Sequence, residues 1–353
     1  MASLQKLRIG YVPYSRSMDK PGDRRRFVHY AKSRNLAFEI ADPSKKYDVV
    51  VVTESADLSV WGEYDKGGAK VIYDFIDSYL AIPRNNLKGK FRGLAKYLSG
   101  QNKHLRLDYW KAFESMCARA DAVVCTTEEQ ARDIYPFCKN VHIILDVHST
   151  DARVHKADYQ AGDVFNLVWE GLPCNVTQLY QIQGVLAKLK ARRKMALHLI
   201  TDLEFQRYMG RYGRTQTVNL TRGLCDRVYL YSWNEQMCSS IVCASDLAVI
   251  PIDLNDPFLR GKPENKLLLF WRMGMPTVTS ATPAYDRAMA KAGLSMTCRS
   301  EDDWVSTIEK YVADEVSRRE AGLAGRAFAE SEYSEEAILR RWDQLLESIL
   351  YTC

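Results

Sequence analysis

The sequence lacks paired cysteines, long apolar runs and an apolar leader. Its nine cysteines contain no Cys-x-x-Cys pair, and neither Cys238 nor Cys243 has companion histidines. This pattern favours reduced thiols in a cytoplasmic protein over a disulfide framework or a zinc site. Apolar runs such as 244–251 are too short to span a bilayer, and residues 1–8 lack the apolar core of a signal peptide. We therefore expect a cytoplasmic protein.

Two common nucleotide-binding fingerprints are also missing. Neither half carries Gly-x-Gly-x-x-Gly after its first apolar run, and the chain has no Gly-Lys-Ser/Thr phosphate loop. These absences disfavour a dinucleotide oxidoreductase and a P-loop enzyme. The chain also lacks a recognised nucleic-acid-binding module, so nucleic acid is not an expected partner.

The pattern of apolar residues predicts an α/β protein. Hydrophobic residues make up 46% and charged residues 26% of 353 residues, which is ordinary for a globular protein of about two domains. Short, continuous apolar runs alternate with amphipathic segments, as expected for parallel strands covered on both faces. The predicted strands are 7–12, 48–52, 70–75, 121–126, 141–145, 165–169, 196–201, 227–233, 247–253, 277–280 and 294–299.

The alternation breaks once, in the polar stretch 148–163, which we interpret as an interdomain linker. We place the boundary inside it, giving domains 1–157 and 158–334, followed by a last helix with an apolar stripe over 335–350. Because open α/β sheets bind ligands at the carboxyl ends of their strands, we expect a site in a cleft between the two domains.

The segment 247–292 is the most informative. It predicts a strand, a loop and a helix over 263–273, with Pro263 in the first helical position and Gly274 after the last. Arg260, Lys262 and Lys266 then lie around the start of that helix, whose free amides already favour an anion. A diphosphate is the ligand that this pattern favours; the alternative is that the cations face solvent.

The same segment resembles the donor-site helix of GT-B glycosyltransferases. The similarity lies in Lys-Pro-Glu-Asn-Lys-Leu-Leu at 262–268 and Gly-Met-Pro-Thr-Val-Thr-Ser at 274–280, with further support from 120–127, 169–171 and 233–251. The bacterial retaining enzymes of surface polysaccharide synthesis (group-1 or family-4-like) are the most similar.

This resemblance implies two Rossmann-like parallel-sheet domains facing a cleft, the N-terminal one for acceptor and the C-terminal one for donor. It also implies a final segment, 335–353, that crosses back to the first domain. The implied reaction transfers a sugar from a nucleoside-diphosphate sugar to a glycan, lipid-linked or small-molecule acceptor. No cofactor is expected besides this co-substrate. The chain has no Asp-x-Asp pair, and Asp302-Asp303 is typical of helix capping, so no catalytic metal is expected.

The resemblance is incomplete at three positions. Leu269 stands where many relatives have a glutamate for the donor ribose, Gly261 where they have another acid, and Leu172 where a lysine often follows the glycine. These departures leave two alternatives open. One is a sugar-nucleotide epimerase of the same fold, and the other is a degenerate, non-catalytic binding subunit.

The predicted donor site combines residues from three loops of the second domain. Trp233 is a candidate for stacking on the nucleobase, or a core residue. Lys266 and Arg260 are the candidates for stabilising the departing diphosphate. The donor-binding set is Gly171, Asn175, Trp233, Lys262, Glu264, Asn265 and Lys266.

The predicted acceptor site lies on the first domain. Asp77 follows the strand 70–75 and is a candidate catalytic base, a group that positions the sugar, or a loop carboxylate. Glu54 is its rival at the end of the preceding strand. Arginines 24–26 open the first helix and either hold an anionic acceptor or face solvent. The acceptor-binding set is Ser15, Arg16, Arg24, Glu54 and Asp77.

The stretch 84–111 is strongly basic, with eight lysines and arginines against one acid, Asp108. Such a stretch could meet an anionic membrane face or a phosphorylated acceptor, or it could be a solvated surface. A peripheral position at the inner face of the membrane is therefore part of the expectation.

Overall fold

A computed structural model of the chain describes residues 4–208 and 212–351. The contacts divide the chain into two compact units. Unit 1 comprises Met1–Val147 with Glu335–Cys353, and unit 2 comprises His148–Ser334. None of the helices in the described ranges is both long and apolar enough to cross a membrane.

Unit 1 is built on a parallel six-stranded sheet with the order β2-β1-β3-β4-β5-β6. Its central strands are runs of valine and isoleucine buried on both faces, which is the pattern that parallel sheets require. The strands are β1 Ile9–Val12, β2 Phe38–Ile40, β3 Val49–Thr53, β4 Lys70–Asp74, β5 Ala122–Cys125 and β6 Val141–Ile143.

Several helices of unit 1 begin where a side chain caps them. Asp108 accepts a hydrogen bond from the Lys111 amide, so the helix that follows begins at Tyr109. Asp23 lies inside the short first helix. The helices are α1 Pro21–Arg24, α2 Phe27–Ser33, α3 Leu58–Trp61, α4 Leu87–Leu98, α5 Tyr109–Arg119 and α6 Glu128–Ile134, with 3-10 turns at Leu4–Lys6 and Tyr79–Ala81.

Unit 2 repeats this architecture with a second parallel six-stranded sheet, in the order β11-β8-β7-β12-β13-β14, and a separate antiparallel pair, β9 with β10. The strands are β7 Phe165–Glu170, β8 Met195–Ile200, β9 Glu204–Tyr208, β10 Tyr212–Gln216, β11 Val228–Tyr231, β12 Leu247–Ile250, β13 Thr277–Ser280 and β14 Thr297–Cys298.

The helices of unit 2 cover both the donor-site segment and the end of the unit. Ser300 and Asp303 form a capping box at one of them, as predicted for this acidic pair. The helices are α7 Gln183–Lys190, α8 Cys238–Cys243, α9 Pro257–Arg260, α10 Asn265–Arg272, α11 Pro283–Lys291, α12 Glu301–Ala313 and α13 Glu315–Glu332, with 3-10 segments at Pro173–Ile182 and Thr217–Leu220.

The last helix, α14 Glu335–Leu350, packs into the core of unit 1. The ring of Trp342 stacks on Tyr30 at 5.8 Å between centroids and meets the edge of Phe27 at 5.9 Å. Asp343 accepts hydrogen bonds from the Tyr30 hydroxyl and the Arg34 guanidinium. Unit 1 therefore requires both ends of the chain for its core.

All eleven predicted strands are present, and three further strands were missed. β2 is a three-residue edge strand whose side chains are partly exposed. β9 and β10 have polar sequences, Glu-Phe-Gln-Arg-Tyr and Tyr-Gly-Arg-Thr-Gln, so they lack the apolar signal of a buried strand.

Candidate functional site

The topology of unit 2 singles out one place for a ligand. From β7 the chain moves to β8 on one side of the sheet, and later returns to β12 on the other side of β7. The loops after β7 and β12 therefore diverge and leave a crevice at their carboxyl ends, which is where open α/β sheets bind ligands. Gly171 follows β7, and α9 and α10 follow β12.

Lys266 enters this crevice and lies against the end of β7. Its ammonium nitrogen lies 4.6 Å from the ring centroid of Trp169. A Cβ built on Gly171 would stand 2.6 Å from Lys266 Nζ and 2.9 Å from Trp169 Cζ2. Glycine is therefore required at position 171, because any side chain there would displace the ammonium or the indole.

The surroundings of Lys266 are electrostatically unfavourable for a cation. Burial lowers the pKa of its ammonium; the Glu170 carboxylate opposes this shift and the Lys262 ammonium adds to it. Lys266 is also the second residue of α10, a helix with no acidic residue in its first turn, so the helix dipole repels the charge. A bound anion would offset these unfavourable effects on the charged ammonium. The placement of an uncompensated cation in this crevice is the strongest sign of function in unit 2.

The two other predicted cations lie at the preceding turn. Arg260 is the exposed last residue of α9, a short helix within the segment predicted to be a loop. Asp256 caps α9 by accepting from the Phe258 and Leu259 amides, which explains the additional helix. The Lys262 ammonium lies 4.8 Å from the Phe258 ring centroid.

Helix α10 begins two residues later than predicted, so Pro263 is not its first residue. Glu264 is the N-cap residue, but its side chain makes no capping hydrogen bond. Instead its Oε1 accepts from the Tyr333 hydroxyl at 3.1 Å, and burial raises the pKa of the carboxyl group. The predicted C-terminal signal is confirmed, because Gly274 follows the helix with φ 73° in the left-handed region.

The other residues predicted for the donor site follow three different strands of unit 2, namely β12, β7 and β11. Asn265 is the first residue of α10, and Asn175 lies in the 3-10 segment after Gly171. Trp233 lies half-buried two residues beyond β11, which ends at Tyr231 rather than at Trp233 as predicted. Trp169 was named only as part of a motif. It lies two residues before Gly171 at the end of a buried strand, and its ring is 1% exposed and packs against the Lys266 ammonium.

The departures from the family pattern are visible in the structure. Leu269 is buried in α10 with 2% exposure, and Gly261 closes α9. Neither can offer an oxygen side chain to a ribose or a sugar.

Unit 1 has an equivalent crevice between β1 and β3, since β2 and β3 lie on opposite sides of β1. The loop after β1 is held by Asp23, whose carboxylate accepts from the Tyr11 hydroxyl and the Tyr14 and Ser15 amides at 2.7 to 3.0 Å. Ser15 Oγ donates to Asp19 at 2.8 Å. Arg16 is exposed on the same loop, and Arg24 is half-buried at the end of α1.

Glu54 and Asp77, the rival carboxylates, lie next to each other. Glu54 follows β3, and its Oε2 accepts a hydrogen bond of 2.7 Å from the Asp77 amide. The Glu54 amide in turn donates to the carbonyl oxygen of Asp74 at the end of β4. The structure therefore brings both candidates to one edge of the sheet without separating their roles.

Arg26 contradicts the interpretation of arginines 24–26 as a ligand-binding or solvated group. Its guanidinium is fully buried and donates to both oxygens of Asp74, at 2.6 to 3.2 Å, and to Asp146 at 3.1 Å. It also donates to the carbonyl oxygen of Ile144 at 2.8 Å. A buried charge requires such partners, so Arg26 is part of the core and Asp74 is structural.

Within the described ranges, no group of three or more histidine, cysteine or acidic side chains is arranged to hold a metal ion.

No protein-family model and no curated protein matches the sequence. The fold, by contrast, matches solved glycosyltransferases. Anabaena HepE in complex with UDP matches with a TM-score of 0.63 at 12% identity, over 97% of this chain and 100% of that one. Sucrose-phosphate synthase from Thermosynechococcus elongatus matches with 0.59 at 15% identity, over 86% and 74%. S. aureus TarM with UDP and alpha-GlcNAc-glycerol matches with 0.58 at 12% identity, over 84% and 55%. The chain therefore has the GT-B fold.

Proposed function

We propose that this protein transfers a glycosyl group from a nucleoside-diphosphate sugar to an acceptor hydroxyl held on unit 1. The observation that carries the proposal is the Lys266 ammonium, which is partly buried at a helix N-terminus and placed against Trp169 and Gly171. Together with the amides of α10 it forms a site for an anion at the ligand-binding edge of the sheet.

The chemistry follows from the charge that develops on the leaving group. The bond between the anomeric carbon and the diphosphate oxygen breaks, and the acceptor oxygen forms the new bond to that carbon. Negative charge grows on the diphosphate, and Lys266, Arg260 and the first amides of α10 would stabilise it. The amides of α10 are fixed by the helix before the reaction, so they need no reorganisation in the transition state.

The proton of the acceptor hydroxyl has two possible destinations, one for each stereochemical outcome. In an inverting reaction a carboxylate, Glu54 or Asp77, accepts it. In a retaining reaction the departing diphosphate accepts it, and the carboxylates position the sugar. The resemblance to retaining enzymes favours the second route.

Uridine is the first base to test, because HepE and TarM were both solved with UDP. The UDP bound in those two structures supports a uridine nucleotide here, with the half-buried Trp233 as the candidate ring for stacking on the base.

A non-catalytic binding protein is the second candidate. The observation in its favour is the replacement of two acidic positions of the family by Gly261 and the buried Leu269. Such a protein would keep the anion site of Lys266 and bind the nucleotide without turnover.

The test is incubation of the protein with a panel of nucleotide sugars, with and without glycan and lipid-linked acceptors, while nucleoside diphosphate and sugar products are measured. Acceptor-dependent release of diphosphate with a new glycoside supports the transferase. Conversion of one nucleotide sugar into its epimer would identify an epimerase instead. Nucleotide binding by calorimetry with no product from any sugar would identify the non-catalytic binding protein.

A further inference from the structure

Helix α4 is oriented with Arg92 and Lys96 toward the rest of unit 1. The Arg92 guanidinium carbon lies 4.1 Å from the Tyr79 ring centroid, and the Lys96 ammonium donates to the Tyr109 hydroxyl at 2.7 Å. Between them, Gly93 is so closely packed that a Cβ there would lie 1.7 Å from the Arg106 carbonyl oxygen. The side of α4 that carries positions 92, 93 and 96 is therefore the side that faces unit 1.

The other side of α4 is apolar and exposed. Phe91 is 62% exposed and Leu98 is 74% exposed. These two residues are seven positions apart, so they lie on the same side of the helix. In the sequence, apolar residues recur at positions 87, 91, 94 and 98, which is a helical repeat. A soluble helix normally buries such a stripe, whereas here two of its large side chains face outward.

The loop after α4 continues the same combination of apolar and basic residues. Leu105 and Leu107 are 43% and 69% exposed, and Lys103 and Lys111 are exposed as well. Of the 17 large hydrophobic residues that are exposed in the described part of the chain, five fall within residues 91–107. Such a concentration marks an interaction surface rather than ordinary scatter.

The charge of the segment identifies the kind of partner. Two of its arginines are engaged in ion pairs, Arg84 with Glu114 and Arg106 with Glu63. Arg92 and Lys96 face unit 1, but Lys103 and Lys111 are exposed and the segment 84–111 carries one acid, Asp108, so a second copy of the chain docking through the same face would bring these lysines together. An anionic lipid surface suits both the exposed apolar side chains and the exposed lysines. Its boundary between headgroups and acyl chains takes up apolar side chains, and its negative charge attracts lysines.

We propose that α4 and the loop 99–108 dock unit 1 on an anionic lipid bilayer, with Phe91 and Leu98 inserted at the boundary between headgroups and acyl chains. This inference goes beyond the proposed transferase activity and does not depend on the donor site. It would bring unit 1 to the lipid surface, where a lipid-linked acceptor would be found.

The test is sedimentation of the full chain with phosphatidylcholine vesicles that contain or lack phosphatidylglycerol. We expect recovery with the anionic vesicles only, and weaker recovery as salt rises, because charges are screened within about 10 Å at 0.1 M salt. Phe91→Ser with Leu98→Ser should weaken binding at least about tenfold, since both inserted side chains are lost. The melting temperature of this variant should be unchanged, because both side chains are exposed.

A matched control is Val316→Ser with Leu323→Ser on α13, where both residues are about half exposed, at 52% and 51%. This control should bind vesicles like the wild type. A second variant, Lys103→Glu with Lys111→Glu, tests the charge separately and should also reduce recovery. Equal recovery with neutral and anionic vesicles, or no recovery with either, would overturn the proposal. So would a dimer in analytical ultracentrifugation that Phe91→Ser with Leu98→Ser dissociates.

Discussion

Replacing Lys266 by methionine separates binding from folding more clearly than any other single change in unit 2. Methionine keeps an unbranched side chain of similar length and can still contact the Trp169 ring, while it removes the charge. The ammonium lies 4.6 Å from that ring centroid and adjacent to Gly171, so the site keeps its packing.

The loss of binding can be sized from the type of contact. A charge-assisted hydrogen bond between an ammonium and a phosphate oxygen is worth about 1.5 to 3 kcal/mol. Lys266→Met should therefore weaken binding of a nucleoside diphosphate by roughly ten- to a hundredfold.

The effect on stability should be small because two terms oppose each other. Loss of the cation–π contact costs about 0.5 to 1 kcal/mol, and removing a cation from the first turn of a helix gains about 0.3 to 1 kcal/mol. At pH 7 the free energy of unfolding should therefore change by less than about 1 kcal/mol.

The stability of the wild type relative to Lys266→Met should depend on pH in a definite direction. Burial lowers the pKa of Lys266 below its ordinary value of 10.5, so the unfolded chain binds more protons than the folded one as the pH approaches 10.5. The penalty on the charged wild type is then relieved, and its stability relative to Lys266→Met should rise with pH in that range. Denaturant titrations of both proteins at neutral and alkaline pH measure this difference.

The matched control is Lys156→Met. Lys156 is also near a ring, at 5.3 Å from the Tyr159 centroid, but its ammonium donates to the carbonyl oxygens of Cys243 and Ser245 at 3.1 and 2.6 Å. This variant should lose stability and keep its nucleotide affinity. Unchanged affinity in Lys266→Met, or a drop in its stability as large as that of Lys156→Met, would refute the assignment of Lys266 as a ligand-binding cation.

Gly171→Ala should weaken nucleotide binding about tenfold in calorimetry, because its Cβ would displace the Lys266 ammonium. Its control is Gly162→Ala, where a Cβ meets no atom within 4 Å, and equal affinities of the two variants would contradict the close approach. In unit 1, Asp74→Asn should lower the free energy of unfolding by about 3 kcal/mol in urea titrations, because it leaves the buried charge of Arg26 partly uncompensated. A loss near zero would show that the pair is not needed for the fold.

The sequence pattern predicted the sheets well because both are buried on both faces. Runs such as Val49–Thr53 and Leu247–Ile250 are apolar at every position or nearly so, and this signal does not depend on contacts elsewhere. The edge strand Phe38–Ile40 and the pair of Glu204–Tyr208 with Tyr212–Gln216 lack that signal, since their positions depend on pairing rather than on burial.

The sequence predicted which loop and helix carry the candidate cations but not their individual contacts. The motif around Lys266 lies after β12 as predicted, yet α10 begins at Asn265 rather than at Pro263, and a short helix capped by Asp256 precedes it. Such local choices depend on hydrogen bonds that a one-dimensional pattern does not specify.

Long-range partners explain the remaining errors. Arg26 was interpreted as a surface or ligand-binding residue, because its partners Asp74 and Asp146 lie 48 and 120 residues away in the chain. The orientation of α4 was equally hidden. Its basic residues suggested a charged surface, whereas Arg92 and Lys96 contact tyrosines and the apolar side faces outward.

The central claim is that the N-terminus of α10 binds the diphosphate of a nucleotide. The most direct measurement is a comparison of calorimetric affinities for a nucleoside, its monophosphate and its diphosphate, with uridine, guanosine and adenosine as bases, in the wild type and in Lys266→Met. We predict that affinity for one base rises with each phosphate in the wild type and that most of this rise is lost in Lys266→Met. Equal affinity for the nucleoside and its diphosphate in the wild type, or an undiminished rise in the variant, would contradict the account.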